Sequence, residues 1–111
     1  MEKIVKFTPQ LTELIKQGKK TTTWRLFDDK NLSVGDIIIL ATRDGENVTN
    51  FGKAKIKNIT MRTLDTLRPE DYAGHEPSKD PVGDYKVYYG DKVQPNTEVK
   101  IIKFEVMEIS S

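Results

Sequence analysis

The run Gly18-Lys19-Lys20-Thr21-Thr22-Thr23-Trp24-Arg25 puts two ammonium groups, three hydroxyls, an indole and a guanidinium into one short stretch. A threonine hydroxyl becomes a nucleophile once a base takes its proton. A lysine amine can be that base when burial or neighbouring positive charge lowers its pKa. Lys20 and Thr23 are such a pair, with Lys19 and Arg25 as the neighbouring charge. Their separation sets a condition, because side chains three positions apart on a flat strand point to opposite faces. The pair converges only if Lys20 lies in the turn before the strand, or if the strand bends. Otherwise Lys20 is a surface lysine and Thr23 an ordinary strand threonine.

Glu76 lies between His75 and Pro77, and Pro77 holds it out of helical geometry. A loop carboxylate there can protonate a leaving amine or orient a substrate amino group; it is equally an ordinary solvated glutamate. His75 can assist, although a lone histidine is more often structural. Arg25 offers a fork of donors to a phosphate or carbonyl, or forms an ion pair with Asp28, Asp29 or Asp36. Trp24, the single tryptophan, can stack on a base or fill the core. Tyr85, Tyr88 and Tyr89 cluster at helical spacing, which packs a helix onto the fold and leaves one of the phenols for a pocket.

These residues need elements to hold them. Ile4 to Phe7 reads as a first strand. Thr8 and Pro9 start a helix, as capping residue and first-turn residue, with Leu11, Leu14 and Ile15 on one apolar face and Gly18 ending it. Thr21 to Arg25 is β-branched and aromatic, hence a strand. Ile37 to Leu40 is a continuous apolar run expected to be a buried strand, and Asp44-Gly45 marks a hairpin turn. From Phe51 to Ile59, Lys53, Lys55 and Lys57 alternate with Ala54 and Ile56; the lysines form a solvated outer face that discourages edge pairing. A helical turn is expected at Pro69 to Tyr72, a short helix from Asp84 to Tyr89 closed by Gly90, and a turn at Gln94 to Asn96. The closing strand runs from Glu98 to Ile109, with Ile102, Phe104 and Val106 on one face. No repeat or linker divides the chain. The expected class is α+β: a small β-barrel of about five to six strands with two or three short helices, in one domain over residues 1–111.

Composition narrows the chemistry. The net charge of +1 argues against bulk attraction to nucleic acid, while leaving room for a local basic patch. With no cysteine and one histidine, thiolate chemistry, disulfides and a multi-histidine metal site are excluded. No metal or cofactor is expected. No apolar run approaches the roughly 20 residues of a membrane span, so a cytoplasmic protein is expected, without a membrane partner.

The chain resembles the ASCH family, a branch of the PUA-like small barrels. Ile15 to Arg25, Val34-Gly35-Asp36, Gly52-Lys53-Ala54, Thr63-Leu64, Gly74-His75-Glu76, Tyr89-Gly90 and Ile102 to Glu105 carry the resemblance, in that order along most of the chain. It looks most like the small bacterial amidohydrolases that remove the acetyl group from N(4)-acetylcytidine. Their Gly-x-Lys-Thr-x-Thr-x-Arg run matches Lys20, Thr23 and Arg25. Their glutamate, placed after a Thr-Leu-Asp-Thr-Leu segment, matches Glu76 with a small difference in length, and Glu70 is the alternative. The resemblance implies catalytic Lys20, Thr23 and Glu76, with Lys19, Trp24, Arg25, His75 and Tyr89 around the substrate. Thr23 attacks the acetyl carbonyl, or Lys20 activates water instead. Two other readings stay open. One is an RNA-binding ASCH or PUA-like module in which Lys19, Lys20, Arg25, Lys53, Lys55 and Lys57 contact phosphates; the other is a small regulatory or interaction domain. The expected partner is a nucleoside or RNA, not DNA, and the chain is expected as a monomer or weak homodimer.

Overall fold

Apolar alternation and helix capping shape the N-terminal segment as expected. In the computed structural model, which describes residues 3–27, 30–75 and 77–110, strand β1 (Lys3–Phe7) buries Val5 and Phe7. Helix α1 (Pro9–Lys16) follows. The Thr8 hydroxyl accepts the Leu11 amide at 3.3 Å, Pro9 occupies the first turn, and Gly18 lies just past the end with φ 75°. That left-handed value suits a residue without Cβ. Strands β2 (Thr22–Leu26), β3 (Ile37–Asp44) and β4 (Asn47–Thr63) come next, then two 3-10 turns (Leu64–Thr66 and Pro69–Tyr72). Helix α2 (Pro81–Tyr89), a third 3-10 turn (Gly90–Lys92) and strand β5 (Glu98–Ile109) complete the chain.

The strands form one mixed sheet in the order β1-β3-β4-β5-β2, with β1 parallel to β3 and the other pairs antiparallel. Register shifts at Leu40/Ala41, Lys53/Ala54 and Ile56/Asn58 interrupt the ladders. Such bulges bend and twist a strand, and the sheet curls into a half-barrel. This is a small α+β fold built on one curled sheet, as the sequence predicts.

Apolar side chains separate into two cores. The larger joins Val5, Phe7, Ile15, Ile38, Leu40 and Ile56 with Ile102 and Phe104. The smaller joins Trp24, Leu26, Leu64, Val93, Val99 and Ile101, with Tyr85 and Tyr89 of α2 packed against it. The face of β5 carrying Ile102, Phe104 and Val106 behaves as expected. Its other face, at Val99 and Ile101, is buried too, because α2 and the turns cover it. The apolar run of β3 does not bury uniformly: Ile38 and Leu40 are fully buried, whereas Ile37 and Ile39 are half-buried. β4 is longer than the expected Phe51 to Ile59, since the hairpin at Gly45 pairs it from Asn47 onward. Helix α2 begins at Pro81, ahead of the expected Asp84, because the Asp80 carboxylate accepts the Gly83 amide at 3.1 Å and caps the helix. Lys55 and Lys57 are exposed, and Lys53 is half-buried.

The loop into β3 is pinned to β1 by charge. Asp36 accepts from the Lys3 ammonium at 2.9 Å and from the Ser33 amide at 2.9 Å. The Lys3 hydrogen bond first, and the Ser33 amide second, hold its pKa below the ordinary 3.8. The carboxylate therefore binds its proton less readily folded than unfolded. Its contribution is fully present above pH 3.8 and is lost as pH falls through the folded value. Thermal midpoints of the wild type and Asp36→Asn should differ at pH 5 and converge toward pH 2.5. An unchanged gap over that range would contradict the assignment.

Candidate active site

β2 is an edge strand, and the way its free side is covered builds the site. In an antiparallel ladder, alternate residues present their backbone groups to the partner strand. The Phe104 amide donates to the Thr21 carbonyl at 3.0 Å. Thr23 and Arg25 therefore bond toward β5, while Thr22, Trp24 and Leu26 present their groups to the open edge. That edge does not stay bare. The Gly74 carbonyl accepts the Thr21 and Thr22 amides at 2.8 and 3.0 Å. The Lys20 ammonium donates to the Thr22 carbonyl at 2.8 Å, and the Tyr85 hydroxyl donates to the Trp24 carbonyl at 3.4 Å. Unpaired edges invite association with other strands, and here a loop, a lysine and a tyrosine occupy the edge.

Lys20 meets the condition that the sequence set. It lies between α1 and β2, with its own amide on the Leu14 carbonyl at 3.2 Å. The residue is 2% exposed, and its ammonium rests on the peptide that joins Thr22 to Thr23. Thr23 is 5% exposed and pairs across the ladder with Ile102 of the larger core; Trp24 pairs with Ile101 of the smaller one. Thr23 and Arg25 thus share one face of β2, and Thr22 and Trp24 share the other. The two neighbouring hydroxyls also differ. Thr22 donates to the Ala73 carbonyl at 2.7 Å. Among the described residues the Thr23 hydroxyl has no hydrogen-bond partner, and no buried side-chain polar atom lacks one, so this hydroxyl keeps contact with solvent.

Residues 71–75 are clamped to β2 on the other face. The Trp24 indole N–H donates to the Asp71 carbonyl at 3.1 Å, and its ring lies 3.9 Å from the His75 ring, 10° from parallel. Tyr72 meets the indole edge-on at 5.0 Å. The buried Asp71 carboxylate accepts the Arg68 amide at 2.8 Å and Arg62 Nε at 3.0 Å. Gly74 has φ 77°, and a Cβ there would come within 2.2 Å of Thr21 Oγ1. Gly74→Ala should lower stability by about 1–3 kcal/mol, read as a shift of the urea midpoint with an unchanged slope. A midpoint equal to the wild type would show that the clamp adjusts freely.

The expected residues therefore fall into groups. The Lys20 ammonium lies on the Thr22 carbonyl at the edge of β2, and Thr23 and Arg25 share one face of that strand. Trp24 is buried and its stacking partner is His75, so the indole packs within the protein. Lys19 is exposed. Tyr89 is half-buried between Tyr85 and Phe27. Of Arg25's possible acidic partners, Asp36 pairs with Lys3, and Asp28 and Asp29 lie outside the described residues. Glu76 also lies outside them. Glu70 is exposed, in an ion pair with Arg62 at 3.1 Å. Sequence reasoning missed Asp71 and Gly74; the turn signal at Pro69 and the glycine before His75 marked the place but not the contacts. Among the described residues no group of three or more potential metal ligands gathers, and no helix is long and apolar enough to cross a membrane.

The chain is thus a curled half-barrel with a buried lysine at the edge of its outer strand. No family model and no curated relative matches the sequence. Solved structures do match. Protein EF3133 of Enterococcus faecalis V583, of the DUF984 family, superposes with TM-score 0.79 at 15% identity, over 100% of this chain and 83% of that one. The ASCH protein of Zymomonas mobilis gives 0.70 at 15% identity, over 96% of this chain and 68% of that one. The hypothetical protein PH0355 gives 0.70 at 27% identity, over 96% and 100%. The fold is that of the ASCH domains, in keeping with the resemblance carried by the sequence motifs.

Proposed function

We propose that this chain is an amidohydrolase that removes the acetyl group from N(4)-acetylcytidine or a related acylated nucleoside, with Lys20, Thr23 and Glu76 as its catalytic residues. The observation that supports this most is the nearly complete burial of Lys20 beside the strand that carries Thr23. Removing an ammonium from water is costly, and lysine is among the residues least often fully buried. A carbonyl at a strand edge needs only one neutral donor. A lysine held there supplies, in addition, a group able to move a proton. The free hydroxyl of Thr23, beside the engaged one of Thr22, fits the same reading.

In the proposed reaction Lys20 accepts the Thr23 hydroxyl proton, and Thr23 Oγ1 bonds to the acetyl carbon. The tetrahedral oxyanion is stabilised by backbone amides or Arg25. The C–N bond breaks as Glu76 gives a proton to the departing amine of cytidine. Water, deprotonated by the Glu76 carboxylate, then attacks the acetylated Thr23, and Lys20 returns its proton to Thr23 Oγ1 as acetic acid leaves and ionises to acetate. A route in which Lys20 activates water directly forms the same products without the acyl-enzyme.

The second reading, an RNA-binding module, draws on the exposed ammonium groups of Lys55 and Lys57 along β4. Incubation of the purified chain with N(4)-acetylcytidine separates the two. The hydrolase yields cytidine and acetate in equal amounts. The binding module yields neither, and its affinity for structured RNA falls steeply with added salt.

A further inference from the structure

Lys20 is 2% exposed, so neither a substrate nor a reagent reaches its amine while the surroundings hold. Its ammonium rests on the Thr22 carbonyl, and the amide of that same residue donates to the Gly74 carbonyl at 3.0 Å. The clamp formed by residues 71–75 therefore lies along the edge of β2 that Lys20 occupies.

The clamp is built as a cover that can be lifted. It touches β2 through polar bonds and rings. The Asp71, Ala73 and Gly74 carbonyls accept from the Trp24 indole, the Thr22 hydroxyl and the Thr21 and Thr22 amides. His75 lies on the Trp24 ring, and Tyr72 meets its edge. In each of these bonds a main-chain carbonyl of the clamp is the acceptor. Lifting it leaves ordinary donors and acceptors that water satisfies at small net cost. Of the five residues only Asp71 is buried. A segment with few buried apolar contacts opens far more readily than its whole domain unfolds. The two ends differ as well. The Asp71 carboxylate is anchored by Arg62 Nε and the Arg68 amide, neither of which belongs to β2. Gly74, at φ 77°, has no Cβ to hinder a backbone rotation. The far end can therefore swing away while the anchor at Asp71 stays in place.

We propose that residues 71–75 are a gate over Lys20. Closed, they bury the amine at the edge of β2; only when Gly74 and His75 leave the strand does it meet a substrate. Resting on the hydrolase reading, each turnover then includes an opening of the gate.

Hydrogen exchange of the native wild type reads the opening without turnover. Corrected for intrinsic rates, the Thr22 amide, held by Gly74, should exchange about a hundredfold faster than the Thr23 amide, which bonds toward β5. Equal rates would mean that the clamp leaves only when the domain unfolds, and would overturn the gate.

A lock provides the second test. A Cβ on residue 74 would stand 3.4 Å from the Thr21 Cβ, close to the separation of about 3.5–4.5 Å in disulfides. The natural chain has no cysteine to compete. Thr21→Cys/Gly74→Cys is compared with itself, oxidised and reduced, so the cost of the substitutions is common to both forms. Treatment with a limiting dose of acetic anhydride, read by peptide mass spectrometry, should acetylate Lys20 about tenfold more slowly in the oxidised form. Lys55, exposed on β4, should react equally in both. Equal acetylation of Lys20 in the two forms overturns the gate. If the double variant does not fold, the exchange rates of the wild type decide alone. Turnover of N(4)-acetylcytidine separates the gate from the chemistry. Protection of Lys20 by the lock, with no hydrolysis by the wild type, removes the hydrolase reading and leaves the gate. Hydrolysis at one rate by both forms removes the gate and leaves the hydrolase.

Discussion

On the proposed function, Thr23→Val should lower the turnover of N(4)-acetylcytidine by about a thousandfold or more while the protein remains as stable as the wild type. The size follows from the role: loss of a nucleophile in a group that acts together removes most of the chemical acceleration. The unchanged stability follows from the site. Valine keeps the branched shape that β2 accommodates, and the Thr23 hydroxyl has no hydrogen-bond partner among the described residues to lose. The same change at Thr22 would strand the Ala73 carbonyl, which accepts its hydroxyl at 2.7 Å, and so would affect folding. Initial rates and thermal midpoints for the variant, measured together, check both parts. Full turnover by Thr23→Val would remove Thr23 as nucleophile and leave only the route through activated water.

Asp71→Ala should be the most damaging single change to the framework, at about 3 kcal/mol. One carboxylate oxygen accepts both the Arg68 amide and Arg62 Nε. Its loss leaves an amide and a partly buried guanidinium without their acceptor. The main-chain carbonyl of the same residue holds the Trp24 indole, so the clamp over β2 loosens with it. Asp71→Asn keeps one neutral acceptor and should lose roughly half as much. Urea titrations of both variants provide the comparison. A loss below about 1 kcal/mol for Asp71→Ala would show that Arg62 finds an equivalent partner in Glu70.

The sequence was most legible where local rules act alone. Thr8, Pro9 and Gly18 fixed the limits of α1 through capping and backbone preference, and Gly45 fixed the hairpin. The alternation in β5 located one buried face. Its second buried face was hidden, because what covers Val99 and Ile101 comes from α2 and the turns, which are distant in sequence. The start of α2 was missed since Asp80 and Pro81 also read as loop residues. At the site, spacing defined the condition under which Lys20 and Thr23 could meet but not its outcome. That outcome depends on Gly74, Ala73 and Lys20 covering the open edge of β2. Trp24 was weighed as base platform or core, and the stack on His75 accounts for it within the protein; no local pattern announces a partner 51 residues away.

The most direct test of the central claim is the initial rate of cytidine release from N(4)-acetylcytidine by the wild type and by Lys20→Met, at equal concentrations of folded protein and followed by chromatography. Methionine fills most of the space of the lysine stem and carries no amine, so folding can be verified by circular dichroism before the rates are compared. The account predicts release by the wild type and a loss of about a thousandfold in the variant. No release by the wild type, or equal release by a folded Lys20→Met, would contradict it.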